Sequence, residues 1–308
     1  MRDATSISSS ARFSLSWDKN FRNAVLDARG TGRYALERAF AEGVRAVIQP
    51  RERDLLGALE ERLLSVLRLE LRVEEGASDY LAPMIRARPL AGIATLNYDL
   101  SVELACRRAG VTVDTGLDKW SGGYEWSWDD TADVRLLKLH GSLDYVLGAN
   151  SSDVRMSEDH LIQMEPSEHG RLVNGVPAMV FGHGSKLRSD GPFLAMLVEF
   201  DRMLQQTEWL TIVGYSFRDD HINAAITRWL NGTHAQRLSI IDPSVRDWTA
   251  DGGYRAKGYV ARLLLALRGR QATPHGGREV PALGHDLLAV GAAEGLAQLH
   301  AQEPLDLV

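Results

Sequence analysis

Four short apolar runs, each stopped by a polar residue or a glycine, constrain this chain more than any other feature. Ala87 to Leu96 ends at Asn97, Val134 to Leu139 at His140, Trp209 to Val213 at Gly214, and Leu238 to Ile241 at Asp242. A run of about five apolar residues bounded by turn residues reads as a strand buried on both faces, the kind found in parallel sheets covered by helices. Helical segments fall between the runs, at Asp99 to Arg108, Phe193 to Gln206 and Asp220 to Leu230. This alternation predicts an α/β fold with a doubly wound, Rossmann-like parallel sheet. Pro177 to Phe181 reads as a further strand of the same sheet. Open sheets of this type hold ligands at the carboxyl ends of their strands, so the residues that stop the runs stand where a crevice is expected.

The flanking regions read differently. From about Trp17 to Glu75, apolar residues such as Leu55, Leu56, Leu59, Leu63, Leu64 and Leu67 recur at helical spacing, and Leu71 and Val73 extend the pattern. Residues 1–86 are therefore expected to form a mainly helical lobe, 87–250 the nucleotide-binding core, and 251–308 a loop and helix suited to interaction. Within the core, Gly110 to Asp133 carries Trp120, Trp126 and Trp128 among acidic residues and reads as an irregular excursion, either packed over the sheet or acting as a lid. Gly182-His183-Gly184-Ser185-Lys186 has the look of a phosphate-cradling turn but is too short for a fingerprint. Gln271 to Gly284 reads as a loop and His285 to Gln302 as a terminal helix.

The residues ending the runs have distinct chemical abilities. An imidazole at His140 can take a proton near neutral pH, and an amide at Asn97 can hold water or a ribose hydroxyl without ionising. Taken alone, Asn97 is equally an Asx turn and His140 a satisfied core imidazole. Gly214 lacks a Cβ where a phosphate approaches, and Ser216 adds a hydroxyl near a helix N-terminus; a tight turn needs the same glycine. Asp242 suits a ribose hydroxyl or a helix cap ahead of Pro243. Asp219 and Asp220 read as helix caps, and His221 as a residue that packs or faces solvent rather than reacting.

Three of these segments carry a resemblance. Thr95-Leu96-Asn97-Tyr98-Asp99, Lys138-Leu139-His140-Gly141-Ser142-Leu143 and Val213-Gly214-Tyr215-Ser216-Phe217-Arg218-Asp219-Asp220-His221-Ile222, in that order, resemble the signature of bacterial sirtuin-like domains of anti-phage defence proteins. The resemblance spans roughly Ala91 to Pro243. It implies cleavage of NAD+ at the nicotinamide–ribose bond, with Asn97 and His140 as the catalytic pair. It also implies nucleotide contacts from Thr95, Asp99, Gly141, Gly214, Tyr215, Ser216 and Asp242. NAD+ would be the substrate, with no permanently bound cofactor. A catalytically weak NAD- or ADP-ribose-binding subunit is the alternative. The family also carries a Gly-Ala-Gly-x-Ser loop after its first strand, and nothing before Asn97 matches it. Gly30-Thr31-Gly32-Arg33 comes nearest and lacks an apolar strand ahead of it, so either the chain starts late relative to its relatives or its pocket is altered.

Composition narrows the remaining choices. Protein-deacylating sirtuins hold a structural zinc with two Cys-x-x-Cys pairs; this chain of 308 residues has one cysteine, Cys106, so no zinc site is expected and a deacylase is disfavoured. Cys106 itself reads as a core residue. A net charge of −6 argues against general duplex binding, leaving nucleic-acid contact at most indirect, and the Arg, Glu and Leu of Arg45 to Arg72 read as a salt-bridged amphipathic helix. No run approaches the length of a membrane span, and the Ser-rich start lacks the apolar core of a targeting sequence, so a cytoplasmic protein is expected. The resemblance implies partners as well: copies of itself, a ring-forming ATPase or a short Argonaute-like protein, since an effector that destroys a central metabolite must be held silent until triggered.

Overall fold

The computed structural model describes residues 71, 73–74, 76–87, 90–147, 161–164, 177–179, 192–232, 236–253, 255–269 and 283–301. The helices expected between Trp17 and Glu70, the Gly182–Lys186 turn and Gly30–Arg33 lie outside them. Leu71 and Val73 do not continue a helix: the first is in a turn and the second is irregular.

Two three-stranded parallel sheets form the framework. The first has the order β1–β3–β2, with β1 Ile93–Thr95, β2 Val113–Asp114 and β3 Val134–Lys138. The second runs β7–β8–β9, with β7 Trp209–Val213, β8 Gln236–Ile241 and β9 Leu283–Leu288. Successive strand residues point to opposite faces, and the packing of β3 follows that rule. Leu136 joins a cluster containing Ile85, Cys106, Ile241 and Leu296, while Leu137 joins another containing Phe193, Met196 and Phe200. Likewise Ile240 faces the second cluster and Ile241 the first. Helices α1 Ala82–Arg86, α2 Ser101–Ala109 and α7 Ala292–Ala301 contribute to the first layer. Helices α3 Phe193–Gln205, α4 Asp220–Leu230 and α6 Gly258–Gly269 fill the other. With helices on both faces, the fold is α/β and Rossmann-like. A short helix, α5, covers Val245–Thr249.

Each fully buried leucine of β3 stabilises the fold by roughly 1.5–3 kcal/mol relative to leaving it exposed. The helix after β1 begins and ends by recognisable devices. The Asp99 carboxylate accepts the Ser101 N–H at 2.9 Å, and Gly110, at φ 68°, closes α2 in the left-handed conformation. Cys106 is fully buried in this helix.

Several expectations need correction. The run from Ala87 to Leu96 yields only Ile93–Thr95 as strand. Pro177–Met179, or β6, pairs antiparallel with β4 Gly141–Leu147, which also pairs antiparallel with β5 Leu161–Gln163. These three form a separate small sheet. At the C-terminal side, His285–Leu288 is strand rather than helix, and α7 begins only at Ala292. Among the described residues no helix is long and apolar enough to cross a membrane.

Candidate active site

The β1–β3 register fixes the relation between the two candidate catalytic residues. Thr95 is the partner of Lys138, and both strands end there. Asn97 and His140 are each two residues further on, so adjacent parallel strands deliver them to the same edge. Two backbone bonds continue the stitching past the strands: Leu139 N–H donates to the Thr95 carbonyl at 3.0 Å and Leu143 N–H to the Tyr98 carbonyl at 2.9 Å. The Asn97 segment is thus tied on one side ahead of His140 and on the other behind it. Asn97 is exposed, and its N–H donates to Thr95 Oγ1 at 3.1 Å. His140 is 3 % exposed. Gly141 follows at φ 88°, which lets the chain reverse into β4.

The second sheet supplies the other candidates in the same manner. Val213 pairs with Ile241, and Gly214 N–H donates to the Ile241 carbonyl at 2.9 Å, so Gly214 and Asp242 lie together just past the strand ends. Gly214 has φ 62° and open space where a Cβ would stand. Ser216 is exposed. The Asp242 carboxylate accepts the Ser244 N–H at 2.7 Å and so starts the turn into α5. The two sheet edges meet through α4: the His221 ring, in the first turn of that helix, lies 5.8 Å from the His140 ring at a 49° tilt.

The Gly214–Asp219 turn is held firmly. The Tyr215 hydroxyl lies 3.1 Å from both the Asp219 carbonyl and Asn223 Oδ1 and accepts the Asp219 N–H at 3.3 Å. Burial, and then the nearby Asp219 carboxylate, push the Tyr215 phenol above its ordinary range. Phe217 takes φ 56°, an uncommon conformation for a bulky side chain. Its carbonyl accepts from Asn223 Nδ2 at 2.9 Å, and its ring packs against Tyr215, Trp248 and Tyr259 at centroid distances of 4.7, 5.9 and 5.8 Å. A turn kept in a strained conformation by its surroundings presents its backbone in one geometry.

Beneath the Asn97–His140 edge lies a polar layer that the sequence reading passed over. Lys138 is fully buried and donates to Glu103 Oε1 at 2.8 Å and to the Asp99 carbonyl at 2.5 Å. Burial raises the Glu103 carboxyl, and Asp144 adds to the rise, against the pull of the Lys138 ammonium. Asp144 accepts from Ser142 and, at 2.9 Å, from Gln163 Nε2, while Gln163 Oε1 accepts from Thr115 at 2.6 Å. In the expected Trp-rich excursion the tryptophans are packed, while residues 121–125 between them are exposed. Trp120 and Trp126 are buried, and Trp128 Nε1 donates to Glu199 at 2.8 Å.

The sequence leaves His221 to pack or to face solvent; its ring stands beside that of His140, and what distinguishes it is spatial, its position at the start of the helix that follows β7. Among the described residues no group of three or more His, Cys, Asp or Glu is placed to hold a metal ion.

The architecture is that of an α/β protein whose candidate residues stand just past paired strand ends. Residues 91–250, more than half of the chain, match the SIR2-like domain, and the chain belongs to that family. Members of the family act on NAD+, which gives this chain an NAD-related function. No curated protein matches it.

Proposed function

We propose that the protein hydrolyses NAD+ to ADP-ribose and nicotinamide, with Asn97 and His140 as the reacting pair. The observation that supports this most is the β1–β3 register, in which both residues lie two positions past paired strand ends. The C1′–N bond of the nicotinamide riboside breaks heterolytically, and nicotinamide leaves as a neutral base with the bonding pair. The ribose left behind has oxocarbenium character, and water adds to C1′ while its proton passes to the His140 imidazole. NAD+ and water give ADP-ribose, nicotinamide and one proton. The Asn97 amide orients the water or a ribose hydroxyl, so much of the acceleration comes from placement of a good leaving group and a nucleophile.

In this reading the pyrophosphate approaches the open Gly214 backbone and takes its donors from the Tyr215 and Ser216 N–H groups, the Gly214 N–H being held by the Ile241 carbonyl. Tyr215, whose hydroxyl is engaged within the turn, supports it from below. Thr95, Asp99, Gly141 and Asp242 shape the crevice, Asp99 through the start of α2 and Asp242 as acceptor for a ribose hydroxyl. The reaction needs neither zinc nor an acyl-lysine peptide.

By its resemblance to defence domains, we place the activity in anti-phage defence as an effector that depletes NAD+. It would act within an assembly of its own copies, or with a ring-forming ATPase or a short Argonaute-like protein. The sequence observation that no Gly-Ala-Gly-x-Ser loop precedes Asn97 favours the second reading, a weakly catalytic NAD- or ADP-ribose-binding subunit. Incubation with NAD+ alone decides between the two. Equal release of nicotinamide and ADP-ribose supports the hydrolase; ADP-ribose binding without release supports the subunit.

A further inference from the structure

Lys138 ends β3 two residues before His140, and its side chain is fully buried. A lone ammonium in such a place is strongly disfavoured, and here it is paired with Glu103 at 2.8 Å. Pairing alone does not explain why a charge is there. Elsewhere the same face of β3 holds α2 by apolar packing, with Leu136 in one cluster with Ala105 and Cys106, and matched apolar residues generally hold two elements together at least as well as a buried ion pair. What an ammonium adds is direction, because it also donates to the Asp99 carbonyl. Asp99 lies two residues past Asn97.

Three bonds therefore tie residues 95–99 to residues 138–143: Leu139 N–H to Thr95, Leu143 N–H to Tyr98, and Lys138 Nζ to Asp99. The first two are backbone bonds that most sequences could make. The third depends on one side chain, seated on Glu103 in the first turn of α2. Glu103 Oε2 is buried with no hydrogen-bond partner among the described residues, so the carboxylate is committed to Lys138 through its other oxygen.

We infer that Lys138, seated on Glu103, is a positioning residue that holds the Asn97 loop against the His140 turn. Its consequence for turnover rests on the hydrolase reading. It touches no substrate. The Gly214–Ser216 turn belongs to the other sheet, so loss of the Lys138 tie should lower kcat and leave nucleotide affinity nearly unchanged.

The test is the double variant Lys138→Met/Glu103→Leu, which replaces the ion pair by an apolar one and avoids stranding a buried charge. The melting temperature should stay at or above the wild-type value, and ADP-ribose affinity should stay within about threefold. Displacing a reacting group by about 1 Å can lower turnover about a hundredfold, and a kcat loss of that order, with KM little changed, is expected. Hydrogen exchange at the Leu139 and Leu143 amides should quicken by about tenfold or more, with β7 to β9 unaffected. Unchanged exchange at those amides overturns the inference, as does quickened exchange with wild-type kcat. If the wild-type protein releases no nicotinamide, the hydrolase reading falls by itself. Exchange alone then decides the positioning role: faster supports it, unchanged refutes it.

Discussion

Substitution of Gly214 separates the demands of the fold from those of a ligand. The residue sits at φ 62°, its N–H is held by the Ile241 carbonyl, and a Cβ built on it meets nothing within 4 Å. Since nothing clashes, the cost of Gly214→Ala in the unliganded protein is backbone strain, about 1–2 kcal/mol for an L-residue in the left-handed region. At roughly 2–4 °C per kcal/mol for a domain of this size class, the melting temperature should fall by roughly 2–8 °C. Gly214→Asn should lose less, because asparagine tolerates that region, and Gly214→Val more, because a branched side chain does not. Ligand affinity should follow another order. If the pyrophosphate approaches the Gly214 backbone, side-chain size matters, and Asn should weaken binding more than Ala does. Losing one charge-assisted bond costs on the order of 1.5–3 kcal/mol, or roughly ten- to a hundredfold in Kd. Thermal unfolding and calorimetry with ADP-ribose read the two orders. Wild-type affinity in Gly214→Asn would place the nucleotide elsewhere, and affinities that merely track stability would make the glycine a turn residue only.

Two further predictions concern stability. A Cβ on Gly295 would lie 2.2 Å from Ile241 Cγ2, at the contact of α7 with β8, so Gly295→Ala should destabilise by about 1–3 kcal/mol despite a gain of about 1 kcal/mol in helix propensity; a melting temperature equal to or above wild type would refute that packing. Burial raises the phenol of Tyr145 well above its ordinary value of 10.0, and burial also raises the half-buried Tyr215 and Tyr259. The unfolded chain ionises first, so stability is complete below about pH 10 and is lost as pH rises towards the folded values. Phenolate absorbance of the buried tyrosines should appear together with loss of circular dichroism, and a reversible rise of the full amplitude in a folded protein would contradict it.

How far the sequence could be read depended on how one-sided its physical signals were. Val134–Lys138, Trp209–Val213 and Gln236–Ile241 were legible because strands covered on both faces demand near-continuous apolar runs. β9 was not. Its Gly284, His285 and Asp286 sit on a sheet edge with exposed positions, and the Ala- and Leu-rich stretch beyond it carries helix propensity back over the strand. β4 was hidden because Gly141-Ser142 reads as a turn, although only Gly141 is in the left-handed region. Lys138 carried no local sign of its role, since its partners Glu103 and Asp99 lie in another segment of the chain. The His140–His221 contact had no local signal either. It depends on how two sheets meet, which spacing along the chain does not encode.

The most direct test of the central claim compares nicotinamide release from NAD+ by the wild-type protein, Asn97→Ala and His140→Ala, with ADP-ribose affinity measured on the same samples. Nicotinamide and ADP-ribose should appear in equal amounts from the wild type, and His140→Ala should lose about a hundred- to ten-thousandfold in kcat. Asn97→Ala, at an exposed position, should lose turnover comparably and keep its melting temperature; His140→Ala, at a buried one, should melt lower but stay folded, and both should bind ADP-ribose within a few-fold of wild type. Wild-type turnover in either variant, with the fold intact, would contradict the assignment of that residue.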